Sequence, residues 1–379
     1  MDPIQRHVFR EPRGRAAASG PAALGGAAGA IGSGASAGSA EPGGSAAPSG
    51  PAASSGSAAS SGSAASSGSA AFSGSAAFSG SAAVPPAVVT VGNFDGVHLG
   101  HQALIRRVVE DARVLGAASA LVTFHPHPQS VLRAHQVPIL TSLPLRLRLF
   151  EQLGLDQACV VPFTREFAQI EPERFVREFL MRPFQLKKLI IGYDFAFGRN
   201  REGTAEFLMQ TAHEHGFGFE VFPAVTLGEG TVSSTRIRGF LQAGEFGPAA
   251  KLLGRRYSIL EPVVEGRKQG RLLGFPTLNQ VPEELLPLPF GVYAVQARVG
   301  EETFGGVANY GIRPTLGGST QPVLETHLFE FSGDLYGQLV EVFPLKCLRE
   351  EHRFPSLDAL KVQIGKDRDA ARAFLATVS

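Results

Sequence analysis

The sequence has few of the features that mark disulfide-rich, nucleic-acid-binding or membrane proteins. Its two cysteines, Cys159 and Cys347, cannot build a disulfide framework or a four-cysteine zinc site. Its 35 basic and 34 acidic residues give a net charge of +1, which argues against a strongly basic nucleic-acid binder. It has no apolar run of about 18 residues and no apolar run near its start that would form a signal peptide. We therefore expect a cytoplasmic protein that binds neither nucleic acid nor membranes.

Large apolar side chains are scarce in residues 16–86, where all but six positions are Gly, Ala, Ser or Pro. Such a segment cannot bury enough apolar surface to offset the entropy of ordering its backbone. Residues 54–83 repeat a hexapeptide of the form SSGSAA or FSGSAA, which fits a flexible tail or an interaction arm. Arginines before an Ala/Ser-rich stretch leave an organelle transit peptide as an alternative. We expect residues 1–86 to form a disordered Gly/Ala/Ser/Pro-rich tail.

Short apolar runs alternate with helical patterns between residue 87 and about residue 255. Strands and helices in alternation, with β-branched residues in the strands, are typical of a parallel, doubly wound sheet. The predicted strands are 87–92, 118–124, 157–161, 187–192 and 219–225, and the predicted helices are 101–115, 143–153, 171–181 and 203–215. The sequence thus predicts a Rossmann-like α/β domain over residues 87–255.

The pattern changes near residues 253–256, after which strand-like segments follow one another without an intervening helix. Turn residues separate these segments, which indicates an antiparallel barrel or sandwich. The predicted strands are 257–265, 291–299, 302–309, 323–331 and 339–347. Ser356 is a candidate N-cap for one closing helix. We therefore predict a second, β-rich domain over residues 256–379.

The segment VGNFDGVHLGH, residues 91–101, joins the first predicted strand to the first helix. Ligands bind at this end of an open α/β sheet, where helix N–H groups attract anions and Gly92 and Gly100 allow a close approach. His98 and His101 are three residues apart and can face the same anion. A zinc site would need a third ligand that is not obvious nearby. The segment therefore indicates a phosphate site, or else a glycine-rich turn with two exposed histidines.

The segment VSSTRIRG, residues 232–239, enters a later helical stretch with hydroxyl groups followed by arginines. The hydroxyls of Ser233, Ser234 and Thr235 can donate to phosphate oxygens, and Arg236 supplies a charged fork. The segment predicts a second anion-binding turn, with an ordinary helix cap as the alternative.

Two further segments carry aromatic and histidine side chains at predicted strand ends. TFHPHP, residues 123–128, contains His127, and IGYDFAFGRNREG, residues 191–203, contains Asp194 and Phe195. The aromatic rings could stack on a planar ligand, or they could simply complete the core.

In the β-rich half, the segment GRKQGRLLGFPTLN, residues 266–279, begins with a basic, glycine-punctuated loop. Gly266 and Arg271 in this loop suit polyphosphate binding, although the loop is not a Walker motif. Thr277 and Asn279 are two residues apart in an extended stretch, so their oxygens can face the same side and bind Mg²⁺. A polar surface loop is the alternative.

The segment VLETHLFEF, residues 323–331, places Glu325 on the same strand face as Val323, His327, Phe329 and Phe331. A carboxylate on a largely apolar face has a raised pKa, which suits a general base. A glutamate at the barrel rim or in an ion pair is the alternative. We expect Glu325 at the barrel mouth.

The motifs of the first half resemble those of a known family. GNFDGVHLGH is similar to the GxFDGxHxGH signature of nucleotidyltransferases that move AMP from ATP to a phosphate acceptor, and VSSTRIR resembles their second nucleotide motif. TFHPHP and IGYDFAFGRNREG narrow the resemblance to prokaryotic bifunctional riboflavin kinase/FAD synthetases. The resemblance covers residues 87–379 and none of residues 1–86.

The motifs of the second half resemble the riboflavin kinase domain of the same family. GRLLGFPTLN is similar to GRxLGFPTxN, NYGIRPT to NxGxRPT, and LETHLFEFSGDLYG to ExHxxDFxxDLYG. The chain departs from the family at Glu265, at Leu278 and at Ser332 after Phe331, and of these Glu265 would weaken phosphate attraction at the loop. The resemblance implies Mg–ATP on Thr277 and Asn279, Glu325 as the base that deprotonates the flavin 5′-hydroxyl, and Arg349 beside the flavin.

The resemblance implies a two-step activity that converts riboflavin to FMN and FMN to FAD, with ATP as donor and Mg²⁺ as cofactor. An adenylyltransferase for another phosphorylated acceptor and a flavin-responsive regulator remain as alternatives, and the oligomeric state is not indicated. The implied catalytic residues are His98, His101, Arg236 and Glu325, and the implied metal ligands are Thr277 and Asn279. The implied ATP-binding residues are Gly92, Phe94, Asp95, Gly100, Ser233, Ser234, Thr235, Gly266 and Arg271, and the implied flavin-binding residues are His127, Asp194, Phe195 and Arg349.

Overall fold

The computed structural model describes residues 5–9, 86–133, 137–266, 274–314 and 320–378. Most of the tail predicted for residues 1–86 lies outside these ranges, as does Arg271 in the basic loop. No helix within the described ranges is long and apolar enough to cross a membrane.

The first half of the described chain forms a six-stranded sheet. Its strands are β1 (Gln5–Val8), β2 (Pro86–Val91), β3 (Ala118–His125), β4 (Gln157–Pro162), β5 (Gln185–Gly192) and β6 (Gly218–Phe222). The order across the sheet is β1-β4-β3-β2-β5-β6, with every pair parallel except β1–β4. Strand β2 is buried along its length apart from Pro86, because helices cover both faces of the sheet. The predicted doubly wound α/β domain is confirmed.

Five helices accompany this sheet, and most begin and end where local sequence signals place them. They are α1 (Leu99–Val114), α2 (Pro128–Leu132), α3 (Leu143–Gln152), α4 (Pro172–Phe175, continued by a π-helical turn over Val176–Met181) and α5 (Ala205–His215). The hydroxyl of Thr204 caps α5 by accepting from the Phe207 N–H, and Gly216 ends it in the left-handed conformation. Helices α1, α3 and α5 each bury apolar residues in contact with the strands of the sheet.

The N-terminal strand contradicts the expectation that all of residues 1–86 form a disordered tail. Residues Gln5–Val8 pair antiparallel with β4, and the guanidinium of Arg6 donates to the side-chain oxygen of Gln157. Phe9 packs against the apolar cluster under that edge of the sheet. The prediction was wrong for these residues because a four-residue, largely polar strand has no hydrophobic pattern of its own. Its pairing is decided by a partner that lies about 150 residues later in the sequence.

A short hairpin and two helices connect the sheet to the second half. The hairpin is formed by β7 (Thr226–Leu227) and β8 (Gly230–Thr231), and the helices are α6 (Ser234–Gln242) and α7 (Phe246–Leu253). The segment ends at Gly254 in the left-handed conformation, with φ of 68°.

The second half is a closed antiparallel barrel, which confirms the prediction of a barrel domain with a C-terminal helix. Its strands are β9 (Ile259–Val264), β10 (Leu278–Gln280), β11 (Gly291–Val299), β12 (Glu302–Pro314), β13 (Thr320–Leu328) and β14 (Leu339–Glu350), in the order β10-β13-β12-β11-β14-β9. Helix α8 (Leu357–Leu375) packs on the outer face through Ala371 and Leu375, against Val292, Ala294 and Val307.

The largest apolar cluster extends across the predicted domain boundary near residues 253–256. Leu252 and Leu253 of α7 belong to the same buried cluster as Tyr257, Ile259 and the barrel interior. The ring of Phe246 also meets that of Tyr293 edge to face, at a centroid distance of 6.2 Å. Helices α6 and α7 are therefore packed as part of the barrel core, although they precede the boundary that the sequence suggested.

Candidate active sites

The loop between β2 and α1 is a tightly held turn at the carboxyl end of the parallel sheet. Phe94 and Val97 have φ of 52° and 41°, which side chains rarely adopt, and Gly96 has φ of 89°. The buried carboxylate of Asp95 fixes this backbone: it accepts from the N–H groups of Leu140 and Thr141, each at 3.0 Å. The strain is thus maintained by a hydrogen-bonded carboxylate.

Glycines within this loop make room for the aromatic side chains that shape it. A Cβ atom on Gly92 would lie 3.2 Å from the ring of Phe94, and one on Gly100 would lie 3.2 Å from the ring of His98. The ring of Phe94 in turn meets His101 edge to face, at a centroid distance of 5.2 Å. These contacts give Gly92, Phe94 and Gly100 a role in positioning the two histidines.

The two predicted catalytic histidines lie against each other at the N-terminus of α1. Their rings stack at a centroid distance of 3.7 Å, and Nδ1 of His98 accepts from the His101 N–H at 3.4 Å. Burial lowers the pKa of His98 to about 4 and that of His101 well below its ordinary value. Both rings are therefore neutral at pH 7, and the His98 proton lies on Nε2. They can donate hydrogen bonds to a phosphate but carry no net charge to it.

The second predicted anion-binding turn contacts the first through Asp95. The Ser233 hydroxyl caps α6 by accepting from the Arg236 N–H at 3.3 Å. The Ser234 hydroxyl donates to the backbone carbonyl of Asp95 at 2.8 Å, and Arg238 forms an ion pair with the Asp95 carboxylate at 2.6 Å. Asp95 therefore joins the two motifs through both its backbone and its side chain.

Thr235 and Arg236 are the other two residues of the second motif, and neither is among the described residues that bind Asp95. Thr235 is exposed in the first turn of α6. The guanidinium of Arg236 donates to the Thr231 carbonyl at 2.8 Å, which holds it against strand β8. The charge-stabilising role expected of Arg236 stays a prediction.

His127 lies in a segment where the α/β domain contacts the barrel. Its ring is buried and caps α2 by accepting from the Gln129 N–H at 3.2 Å, and burial lowers its pKa to about 4. Its backbone N–H donates to Glu284, and His125 forms an ion pair with Glu283 at 3.2 Å. The flavin contact expected of His127 stays a prediction.

Sequence analysis missed Arg146, a buried arginine on α3. Its guanidinium donates to the carbonyls of Asn93 at 2.9 Å and Phe124 at 3.2 Å, and so ties together the ends of β2 and β3. It also lines a small cavity of about 30 Å³ between the two domains, together with Glu261, Glu283 and Glu284. The available signal was an arginine that interrupts the apolar stripe of LPLRLRLF, residues 143–150.

The predicted flavin segment after β5 is an aromatic loop. Phe195 stacks on Phe197 at a centroid distance of 5.5 Å and an angle of 19°, and Phe197 is buried while Phe195 is partly exposed. Asp194 is exposed beside them, and its carbonyl accepts from Arg201 at 3.5 Å. Both rings pack with the core of the sheet domain, and the stacking on a planar ligand expected of Phe195 stays a prediction.

In the barrel, Glu325 lies in a row of polar residues on neighbouring strands. It is paired across the sheet with Asn279 of β10 and with Asn309 of β12. Leu324 and Leu328 of the same strand belong to the interior cluster, so Glu325 lies on the outer face of the barrel wall, and its position at the barrel mouth stays a prediction. Strand β13 ends at Leu328, so Phe331 does not share the face that the sequence predicted.

The predicted metal ligands are Thr277 and Asn279, and Asn279 is the first residue in the row formed with Glu325 and Asn309. The Asn279 side chain is buried; its amide donates to the Thr277 carbonyl at 3.4 Å, and its Oδ1 has no hydrogen-bond partner among the described residues. Thr277 is partly exposed. A Cβ atom on Gly266 would overlap the Asn279 amide, so glycine allows the backbone of residue 266 to lie against this side chain.

The guanidinium of Arg349 donates its hydrogen bonds to other groups of the protein. Its guanidinium binds Asp367 of α8 through Nε at 3.0 Å and Nη2 at 2.8 Å, and Nη1 donates to the Glu350 carbonyl at 3.0 Å. These contacts make Arg349 an anchor between β14 and α8. The flavin contact expected of it stays a prediction.

Comparisons with known proteins identify a family pattern for each half of the chain. The sequence pattern of the FAD synthetase family matches residues 81–236, and that of the riboflavin kinase family matches residues 253–375. The chain is 39% identical over 290 residues to the bifunctional riboflavin kinase/FMN adenylyltransferase of Pseudomonas fluorescens, covering 76% of this chain and 93% of the relative. It is 40% identical to the protein of that name from Haemophilus influenzae over 289 residues, with the same coverage.

A solved structure has a similar fold along most of its length. The chain resembles a macrolide-efflux protein from Streptococcus pneumoniae with a TM-score of 0.61 and 30% identity, over 76% of this chain and 94% of the other. Both sequence patterns, the curated relatives and the two-domain fold lead to one conclusion. The chain belongs to the family of bifunctional riboflavin kinase/FMN adenylyltransferases.

Proposed function

We infer that this chain phosphorylates riboflavin with ATP to give FMN, and then adenylylates FMN with a second ATP to give FAD and pyrophosphate. The observation that carries this conclusion is the presence of both family patterns in one chain, each over a domain with its own polar site. The riboflavin kinase match over residues 253–375 argues against an adenylyltransferase that uses the barrel only as an accessory.

In the kinase step, we assign the general base to Glu325. The flavin 5′-hydroxyl oxygen forms a bond to the γ-phosphorus of ATP while the bond to ADP breaks, and the proton passes to the Glu325 carboxylate. Its pairing across the sheet with Asn279 supports this role, because it places the carboxylate beside a residue proposed to hold Mg–ATP.

Thr277 and Asn279 are the residues that we propose to hold Mg²⁺ with ATP. The buried Oδ1 of Asn279 lacks a donor among the described residues, and a neutral oxygen of this kind suits a hard cation. The described residues contain no group of three or more His, Cys, Asp or Glu suited to a metal, which fits a cation held largely by ATP phosphates. When bound, Mg²⁺ offsets the negative charge of those phosphates.

In the adenylylation step, a phosphate oxygen of FMN attacks the α-phosphorus of ATP and pyrophosphate leaves. We propose that His98 and His101 donate hydrogen bonds to the phosphate oxygens and that Arg236 adds positive charge. The stacked, neutral rings at the N-terminus of α1 support the first part of this assignment. Phe195 is the ring that we propose to contact the flavin, since it is partly exposed beside the buried Phe197.

The direct test is incubation with riboflavin, ATP and Mg²⁺, followed by chromatography over time. We expect FMN to appear first and FAD to follow, with pyrophosphate released in step with FAD. Formation of neither product by the folded protein would contradict the proposal. Formation of FMN alone would restrict it to the kinase. The cytoplasmic location expected from the sequence belongs to the same proposal.

A further inference from the structure

Arg255 lies between the two domains, directly after the turn that ends α7. The Leu253 carbonyl accepts from Nε2 of Gln102 at 2.8 Å, and the same amide donates to the Val97 carbonyl at 2.9 Å. A Cβ atom on Gly254 would lie 2.6 Å from the Leu99 side chain. The backbone that carries Arg255 is therefore fixed against the loop and first turn of α1, where His98 and His101 lie.

The guanidinium of Arg255 is buried without an acceptor. Its Nε, Nη1 and Nη2 atoms are all inaccessible to solvent, and none has a hydrogen-bond partner among the described residues. Burial lowers the pKa of Arg255 to about 10, which leaves it charged at neutral pH. An uncompensated buried charge is costly, so the surroundings of this group indicate a missing anion.

The two nearest sources of negative charge are already used by other donors. Glu341 accepts from Ser258 at 2.7 Å and from Arg148 at 3.1 Å, and it also binds Arg298. The Asp95 carboxylate is bound by Arg238 and by two backbone N–H groups. Both carboxylates influence Arg255 electrostatically, but neither accepts a hydrogen bond from it.

The position of Arg255 connects it to the adenylyltransferase site. Burial is the main cause of the lowered pKa of His98, and the positive charge of Arg255 contributes to it, so the two groups interact electrostatically at the N-terminus of α1. That helix end and the neutral histidines provide donors but no full positive charge. A water molecule could satisfy the Arg255 donors, yet it would leave the charge of the guanidinium uncompensated.

We propose that Arg255 is a ligand of the ATP polyphosphate in the adenylyltransferase site and binds the phosphates that leave as pyrophosphate. The proposal rests on the adenylylation of FMN inferred above. Arg255 lies within residues 253–375, the riboflavin kinase match, and outside the FAD synthetase match of residues 81–236. The adenylylation reaction thus uses a charged group from the part of the chain that is assigned to the other activity.

The test compares Arg255→Gln with Arg256→Gln in the full chain. Arg256 is the matched control, because it is exposed and donates only to the Gln296 side chain among the described residues. We expect Arg255→Gln to lower kcat/KM for ATP in FMN adenylylation by about 10²–10³-fold, while riboflavin phosphorylation stays unchanged as an internal check on folding. Arg256→Gln should leave both reactions unchanged.

Pyrophosphate binding gives a second readout that does not depend on turnover. Pyrophosphate should raise the Tm of the wild-type protein and of Arg256→Gln but not that of Arg255→Gln, since a ligand stabilises only the fold that binds it. Without ligand, Arg255→Gln should be at least as stable as wild type, because it removes an uncompensated charge. Arg255→Lys, which keeps the charge but not the fork, should lose less activity than Arg255→Gln.

Several outcomes would overturn the proposal. They are a pyrophosphate response retained in Arg255→Gln, adenylylation at the wild-type rate, or an equal loss of both activities together with a lowered Tm. The last result would make Arg255 a structural residue. If Arg255→Gln does not fold, Arg255→Lys decides the matter by its pyrophosphate response. Absence of FAD formation by the wild-type chain would instead contradict the proposed function.

Discussion

Buried, neutral histidines characterise the adenylyltransferase domain at the scale of single residues. His98 and His127 each cap a helix with a ring nitrogen, and burial holds the pKa of each at about 4. A ring that accepts a backbone N–H through Nδ1 carries its proton on Nε2 and presents a donor to whatever lies beyond it. The helix caps therefore decide both the orientation and the tautomer of these rings.

The lowered pKa values predict a loss of stability in acid. Because the unfolded chain keeps the ordinary histidine pKa of 6.5, it binds more protons than the folded state between pH 6.5 and about 4. The stability is complete above this window and is lost as the pH falls through it, by up to about 3 kcal/mol for each histidine. Urea unfolding at pH 7 and pH 5 measures the change. His127→Asn, which can still cap α2, should show a smaller change with pH, and an equal change would contradict the buried neutral state of His127.

A second residue-scale prediction concerns Gly266 and the kinase site. Gly266→Ala would place a Cβ atom on the Asn279 amide, and that buried side chain would have to move. We expect the KM for ATP in riboflavin phosphorylation to rise by about tenfold or more, equivalent to about 1.4 kcal/mol, with little change in Tm. Gly365→Ala in α8 is the control, because nothing lies within 4 Å of its Cβ position. Unchanged kinase kinetics in Gly266→Ala would contradict a role for Asn279 in binding Mg–ATP.

At the scale of elements, the sequence predicts regular strands and helices well and short or composite ones poorly. The parallel strands have β-branched runs and were expected close to their observed bounds. Strands β1 and β10 were missed, since each is only three or four residues long and depends on distant partners. The closing helix was expected, but only the C-terminal half of α8 rests on the barrel, and Leu357 at its start is 70% exposed.

Strand β1 leads to an element-scale prediction about the N-terminus. A chain that starts at Ala87 loses the β1–β4 pairing and the packing of Phe9. We expect it to be less stable by about 1–2 kcal/mol, since Phe9 is only partly buried. Both activities should remain, because the described residues 5–9 contribute no group to either site.

Thermal unfolding of the full and shortened chains measures this difference in stability. Phe9→Ala in the full chain is the matched variant, with a smaller loss expected. An unchanged Tm in the shortened chain would contradict a stabilising role for β1.

At the scale of the whole molecule, the motifs indicated two sites but not how the domains share structure. The contacts of Asp95 with α6, and of Glu283 and Glu284 with the His125–His127 segment, join residues more than 130 positions apart. No local pattern marks such pairs, because each residue alone fits an ordinary loop or cap. Arg255 was missed for the same reason, because its importance comes from burial that only the fold creates, whereas Arg146 left a signal in the interrupted apolar stripe of residues 143–150.

The shared core predicts where the kinase can be separated from the rest of the chain. The boundary suggested by the sequence would yield a fragment 256–379, which removes Ala249, Leu252 and Leu253 from the cluster that contains Tyr257. We expect a fragment 234–379, which keeps α6 and α7, to phosphorylate riboflavin without making FAD and to unfold at a higher temperature than 256–379. Equal Tm values for the two fragments would contradict the shared core and favour the original boundary.

The central claim is that one chain carries two separate sites for successive reactions, and a single chromatographic assay tests it most directly. The double variant His98→Ala/His101→Ala and the variant Glu325→Gln are each given riboflavin, ATP and Mg²⁺, and then FMN and ATP. The histidine variant should accumulate FMN and form FAD about 10²–10³-fold more slowly than wild type. Glu325→Gln should phosphorylate riboflavin about 10²–10⁴-fold more slowly, yet adenylylate supplied FMN normally. A mixture of the two variants should restore FAD formation from riboflavin, because FMN released by one is the substrate of the other. Loss of both reactions in either folded variant, or of neither, would contradict two separate sites.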